Sequence, residues 1–286
     1  MTGSLQVARY TLQESVRRRV FLVVLILSAG FLALFWWGAG SVFDEVRNHG
    51  FDSEDSPVRA TEIAGSFLLG MAMFAILFLG TVLAVFLTLN AVRGDAERGL
   101  LQQILVRPVS RSAVIAGRFL AAFVVCGVYV SAMFLICTAM VRNAGDWAPG
   151  SEILPALSLV GAVAIIVALA LLGSVFLSGT SNGIAVFMLV GGGLVGGLLG
   201  QIGRAIPSDS LTSASEWVSR ILPFEALYQG GLYSLNSDLQ GLERVVVNLG
   251  PFGGAVHAGP GTWIWAACYL AGLWALATWA FRRRDL

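Results

Sequence analysis

The sequence predicts an all-α membrane protein with six transmembrane helices. Of its 286 residues, 57% are hydrophobic and 12% are charged, whereas a soluble domain carries about 25% charged residues. Six stretches are continuously apolar and long enough to cross a hydrocarbon core of about 30 Å, which takes roughly 20 helical residues. Such stretches favour helices over membrane strands, because those strands are shorter and alternate between apolar and polar residues.

The six predicted spans lie near residues 20–40, 63–91, 113–141, 155–177, 184–203 and 262–281. They make residues 1–286 a single transmembrane domain, with a cytoplasmic loop at 92–112 and an external loop at 204–261. We expect the first span to be retained rather than cleaved as a signal peptide. Its apolar run is as long as a full span and ends in the bulky side chains Phe35, Trp36 and Trp37.

The distribution of arginine predicts the orientation of the chain in the membrane. All 18 basic residues are arginines, and an orientation with the N-terminus inside places most of them in cytoplasmic segments. Positively charged residues near membrane ends favour the cytoplasmic side, so both termini are predicted to be cytoplasmic. The sequence therefore predicts a multi-pass protein of the cytoplasmic membrane, surrounded by lipid. Its net charge of +1 gives no reason to expect a nucleic-acid partner.

Several kinds of chemistry are disfavoured by residues that the sequence lacks. A Walker A loop needs a lysine to reach the phosphates of ATP, and the chain contains no lysine. The centres of the predicted spans contain no Asp, Glu, Arg or His, although ion-coupled carriers usually place such residues at mid-membrane depth. Cys126, Cys137 and Cys268 fall within spans and are expected to pack as small apolar side chains. We therefore predict no catalytic residue, cofactor site or metal site on this chain.

The fifth span carries a stripe of glycines. Gly192, Gly196 and Gly200 recur every four residues and so share one helix face. Small residues in this pattern allow another helix to approach closely. The neighbouring helix is either another helix of this chain or a helix of a second copy, and the sequence leaves both alternatives open.

The external loop begins with a predicted amphipathic segment. Trp217 and Ile221 lie one turn apart, as expected for an interfacial helix that Pro223 interrupts. Phe224 and Tyr228 continue the aromatic character that suits the lipid headgroup level. The alternative is a loop that packs against the ends of the spans.

The cytoplasmic loop at 92–112 contains a short predicted helix. Asp95 can cap its N-terminus, Glu97 lies in the first turn where the helix dipole favours an anion, and Pro108 ends it. Its apolar ridge, flanked by Arg98 and Arg107, consists of Leu100, Leu101, Ile104 and Leu105. This ridge either docks into a groove of a partner or lies on the lipid surface, held there by arginines.

Two segments resemble a known family. The run from Glu97 to Phe119, which includes Arg107, Pro108 and Gly117, is similar to the coupling-helix signature of ABC-2-type permeases, the NosY-like membrane subunits of ABC exporters. Residues 222–229 resemble a segment that these proteins often carry before the last span. The chain departs from the signature at Leu100, where threonine is frequent, and at Arg118, where lysine is frequent.

The resemblance implies a transport subunit that uses a separate ATP-binding subunit, on which ATP and Mg are bound. That subunit would contact the coupling helix, with Leu101, Ile104 and Leu105 in its groove, Arg98 and Arg107 framing it, and Glu97 ordering the helix start. A second permease copy or paralogue would complete a pathway for a hydrophobic or amphipathic substrate, moved outward. Two alternatives remain open: a mechanotransmitting or regulatory subunit that moves no solute, and an intramembrane enzyme.

Overall fold

The computed structural model describes residues 19–48, 59–89, 111–237, 239 and 257–283. Within these ranges the chain forms eight helices and no strand. They are α1 (Arg19–Asn48), α2 (Ala60–Thr88), α3 (Arg111–Gly145), α4 (Ile153–Phe176), α5 (Gly179–Ala205), α6 (Asp209–Ile221), α7 (Pro223–Leu235) and α8 (Pro260–Arg282). All except α6 and α7 are long and apolar enough to cross a membrane, so the predicted six-helix fold is confirmed.

The ends of α1 and α3 meet at one end of the bundle. The Arg47 guanidinium donates a hydrogen bond of 3.1 Å to the carbonyl oxygen of Ala144. Trp147, just after α3, covers Gly65 near the beginning of α2. Helices α6 and α7 follow α5 at this end of the bundle, which we call the α6–α7 end.

The opposite end of the bundle, here called the connector end, gathers the other helix termini. Ile115 near the start of α3 belongs to one buried apolar cluster with Leu171 of α4 and Phe281 of α8. Leu177 and Ser178 alone separate α4 from α5. The six spans therefore alternate in direction.

Helices α2 and α4 form the centre of the bundle, and α1 and α8 lie at its periphery. In the most apolar window of each span, 72% of α2 and 67% of α4 is buried within the chain, against 17% of α1 and 28% of α8. The peripheral helices therefore present most of their apolar side chains to lipid or to another membrane protein.

Helix α1 continues to Asn48, whereas the predicted first span ends near residue 40. The extension is explained by Phe43, which is buried and packs against Gly145 at the end of α3. A span predicted from apolar composition ends where charged residues begin, and a tertiary contact here keeps the helix intact beyond that point.

Candidate functional site

A proline separates the two short helices that follow α5. Leu222 has φ −123° and ψ 75°, which is not helical, and Pro223 occupies the first turn of α7. A residue before proline is disfavoured in the helical region, whereas proline itself is favoured at the start of a helix. The predicted interruption at Pro223 is therefore present, and a second helix begins directly after it.

Most glycines of α5 face α6 and α7 of the same chain. An added Cβ would meet Val218 at Gly196 and Ser215 at Gly200, both on α6. At Gly193 it would meet the ring of Phe224 on α7. Absence of a side chain at these positions lets the two short helices pack directly on the α5 backbone. For Gly196 and Gly200, the close neighbour in this structure is thus a helix of the same chain.

One part of the glycine stripe faces no helix among the described residues. An added Cβ at Gly192 or at its neighbour Gly191 would have no atom within 4 Å among the described residues. Met188 is 73% exposed and Val195 is 56% exposed on the same helix. This part of α5 is an apolar surface with open glycines.

Helix α6 is amphipathic, and two of its large apolar side chains, Trp217 and Ile221, point away from the bundle. Trp217 is 63% exposed and Ile221 is 60% exposed, whereas Val218 packs against Gly196. Arg220 lies over the Trp217 ring at 5.6 Å from its centroid. The indole NH of Trp265 donates a hydrogen bond of 3.1 Å to the Arg220 carbonyl oxygen, which joins the end of α6 to α8. Exposed Trp and Ile side chains at this end of the bundle are typical of an interfacial helix.

The interpretation of Phe224 and Tyr228 as headgroup-level side chains is wrong. Both are buried, Phe224 completely, because α7 packs against α2, α4, α5 and α8. Gly231 of α7 lies against Met73 of α2 and Ser158 of α4, so this face of the short helix enters the core. An aromatic segment before a span suits the membrane interface and the protein core equally well, and only the packing distinguishes them.

A buried polar cluster joins α5, α6 and α7. Ser219 Oγ of α6 donates a hydrogen bond of 2.5 Å to Glu225 Oε2 of α7. Gln229, one turn along α7, also donates to the Glu225 carboxyl. Gln201 Nε2 of α5 donates a hydrogen bond of 3.1 Å to Gln229 Oε1. The carboxyl group rests against Gly197, where a side chain would overlap it.

Burial raises the pKa of Glu225 from its ordinary value of 4.5 to about 7. The hydrogen bonds from Ser219 and Gln229 and the charge of Arg204 act in the opposite direction, but they are smaller effects. A carboxyl group in this environment is therefore protonated in mildly acid solution, where an exposed glutamate is ionised.

Glu225 and Gln201 are not among the site residues predicted from the sequence. The local signal is a glutamate and a glutamine four residues apart within an apolar run, so that both lie on one face of α7. That signal predicts that the two residues interact, but it does not predict their burial.

The predicted docking residues Glu97, Arg98, Leu100, Leu101, Ile104, Leu105, Arg107 and Pro108 lie outside the described residues. The segment that contains them joins α2 to α3, two helices that pack along each other. The end of α2 and the start of α3, which this segment connects in sequence, both lie at the connector end. An added Cβ at Gly183, at the start of α5, would lie 3.3 Å from Val85 near the end of α2. The α4–α5 turn therefore lies beside the end of α2.

Two surface grooves of the described chain are lined mainly by apolar side chains. One of about 280 Å³ lies between α3, α4 and α8 and is lined by Phe119, Leu171 and Trp274 among others. Another of about 320 Å³ lies between α4 and α5, with Asn182 as a polar residue in its wall. No group of three or more His, Cys, Asp or Glu in the described ranges is placed to hold a metal ion.

The sequence as a whole matches one protein family. The profile of the ABC-2 family transporter proteins matches residues 5–286. No curated protein matches the chain significantly. The match spans all six helices, both short helices and the predicted docking segment, and it confirms the resemblance to ABC-2-type permeases, while the NosY-like subtype stays a prediction. The chain therefore belongs to the ABC-2 family of transporter membrane proteins.

Proposed function

We propose that this protein is the membrane-spanning subunit of an ABC exporter and that a separate ATPase subunit energises it. The observation that carries the proposal is the family match over residues 5–286 of a chain with six apolar spans. The absence of lysine supports it, because the chain then has no P-loop of its own. ATP and Mg would be bound on the partner ATPase.

In this proposal the ATPase contacts the helix predicted at residues 95–107. Its apolar ridge, with Leu101 and Leu105 one turn apart, would fill a groove of the ATPase. The segment leaves α2 and returns to α3, so a force applied to it would reach two packed spans. The arginine distribution favours the cytoplasmic side, where ATP is available, for this loop and for both termini.

A second copy or paralogue would complete the translocation pathway. The open glycines Gly191 and Gly192 lie on a part of α5 whose apolar side chains are exposed, which suits contact with another membrane helix. Helix α1, with little of its surface buried in the chain, offers a further apolar face. An apolar pathway between two such subunits would suit a hydrophobic or amphipathic substrate, and outward transport is the direction that the family resemblance implies.

Reconstitution tests the proposal. The chain and a candidate ABC ATPase subunit that co-purifies with it are incorporated into liposomes, and the ATP-dependent movement of a fluorescently labelled phospholipid and of a fluorescent amphipathic cation is followed. We expect at least one probe to move when ATP is supplied on the ATPase side, and none to move with liposomes that contain the Leu101→Asp/Leu105→Asp variant. If the chain stimulates ATP hydrolysis and neither probe moves, the mechanotransmitting alternative is favoured over export of these amphiphiles.

A further inference from the structure

Glu225 is unusual within the described residues because it is the one Asp, Glu, Arg or His that is buried. Its side chain is 1% exposed and lies between α5, α6 and α7. A buried ionised carboxylate is costly unless it is paired with a charge, and the pKa of such a group shifts so that the neutral form is favoured. Apolar packing alone therefore does not explain why a carboxyl group is buried at this position.

The hydrogen bonds of Glu225 connect three separate helices. Ser219 brings α6 to the carboxyl group, while Gln229 and Gln201 continue the network from α7 to α5. Amide and hydroxyl groups can bond both a neutral and an ionised carboxyl group. The network can thus persist in either protonation state, although its strength and the cost of burial differ between the two states.

The surrounding helices supply little charge to hold the ionised form. Arg204 of α5 favours it from an exposed position. Glu216 and Arg220 of α6 are exposed and pair with each other at 3.6 Å. Asp209 at the start of α6 is exposed. The other charged and titratable residues of the helices that pack on α7 are Glu62 at the start of α2, which pairs with Arg59; Tyr228 and Tyr233 on α7 itself; and Cys268, Tyr269 and Arg282 on α8; α4 has none.

We propose that Glu225 is a proton-accepting positioning residue: its neutral form holds α6 and α7 packed on α5, and its ionisation loosens that packing. If the proposed transport function is correct, the proton concentration on the α6–α7 side of the membrane then regulates transport. The regulated element is the pair of short helices, which cover the glycine face of α5 and pack against α2, α4 and α8.

The direction of the pH effect follows from the raised pKa of Glu225. A carboxyl group with a higher pKa in the packed state than in the open state stabilises the packed state fully at acid pH, and the effect is lost as pH rises. The equilibrium constant for opening should rise by up to about tenfold per pH unit between pH 4.5 and about 7, and then level off. A low pH therefore stabilises the packing of α6 and α7 on α5, and a rise in pH towards 7 weakens it.

Hydrogen–deuterium exchange of the full chain in lipid nanodiscs tests this proposal. Because the experiment does not include the ATPase, a negative result for the Glu225 proposal is distinguishable from a failure of the proposed transport function. Exchange of peptides from residues 209–235 is measured over a series of pH values and corrected for the intrinsic pH dependence of amide exchange. We expect protection to fall as pH rises to about 7 and then to stay constant. Peptides from the centre of α4 should show no such change.

Three variants make the test specific. Glu225→Gln keeps the shape of the neutral acid and should remove the pH dependence, whereas the matched control Glu216→Gln, on exposed α6 surface, should retain it. Ser219→Ala removes a hydrogen bond that lowers the pKa of Glu225, so protection should persist to higher pH than in the wild type. The proposal is overturned if wild-type protection does not depend on pH or if Glu225→Gln keeps the wild-type profile. If Glu225→Gln fails to fold, a Ser219→Ala profile that is unchanged or shifted to lower pH overturns it instead.

Discussion

Ser219 and Glu225 are joined across the break between α6 and α7 by a hydrogen bond of 2.5 Å from Ser219 Oγ to Glu225 Oε2. Leu222, the one non-helical residue between the two helices, lies midway between the bonded side chains in sequence. The bond therefore ties the last turn of α6 to the first turn of α7. Since Glu225 also lies against Gly197, the same carboxyl group sets the position of both helices on α5.

Substitution of Gly197 by alanine should destabilise the protein. An added Cβ at Gly197 would overlap Oε1 of Glu225 and lie close to Nε2 of Gln229, so the buried cluster must move. Overpacking of this kind typically costs about 1–3 kcal/mol. The measurement is the midpoint of thermal unfolding of the purified chain in nanodiscs.

Gly272→Ala is the matched control for that substitution. It adds the same methyl group to another span, α8, at a position with no atom within 4 Å among the described residues, and alanine is the better helix former by roughly 1 kcal/mol. We expect its unfolding midpoint to equal or exceed that of the wild type. Equal midpoints for the two variants would show that Glu225 is not held against Gly197.

The contact between Ser28 and Tyr129 should respond asymmetrically to mutation. The two hydroxyl oxygens are 2.6 Å apart, and Ser28 Oγ also donates to the Val24 carbonyl oxygen at 2.7 Å, so the Tyr129 hydroxyl donates to Ser28. Ser28→Ala leaves the tyrosine hydroxyl without its acceptor in an apolar environment, which costs about 1–3 kcal/mol. Tyr129→Phe leaves Ser28 bonded to the backbone and should cost less.

Denaturant unfolding of both single variants measures this difference. Ser28 is one of few buried residues of α1, so the loss should also appear as faster proteolysis or exchange within α1. A larger loss of stability for Tyr129→Phe than for Ser28→Ala would contradict the assigned direction of the hydrogen bond.

Trp217 and Ile221 should contact lipid. Both are more than half exposed on the outer face of α6. A nitroxide attached at either position, in a variant without Cys126, Cys137 and Cys268, should be more accessible to oxygen than to a water-soluble nickel complex. The matched control is a label at Glu216, whose exposed side chain pairs with Arg220. Greater accessibility of a label at Trp217 to the nickel complex than to oxygen would show that α6 lies in water.

The spans could be predicted from sequence because their signal is local. Length and apolar composition determine whether a segment can cross a membrane, and the six helices lie where those properties place them. Helix α1 extends beyond the predicted first span because Phe43 and Gly145 meet in the folded bundle, a contact that composition alone does not reveal. The glycine stripe predicted a close helix contact, and the identity of the neighbour at Gly196 required the path of α6.

The Glu225 cluster could not be predicted from the sequence because it also depends on contacts between helices that form only in the folded bundle. A single carboxylate in a predicted external loop is most simply interpreted as solvated. Its burial depends on Gly197, Gln201 and Ser219, which come from two other helices. Similarly, the aromatic character of Phe224 fits both a membrane interface and a core, and the fold selects the core.

Co-purification of the ATPase with the chain tests most directly the proposal that energy from ATP enters through the segment at 95–107. The Leu101→Asp/Leu105→Asp variant places two charges on the predicted apolar ridge, whereas the control Gln102→Asp/Gln103→Asp places two charges on the other face of the predicted helix. Both variants should insert into the membrane, since neither changes a span. We expect the ATPase to be lost from the ridge variant and retained by the control. An ATPase that remains bound to the ridge variant at the wild-type ratio would contradict this proposal.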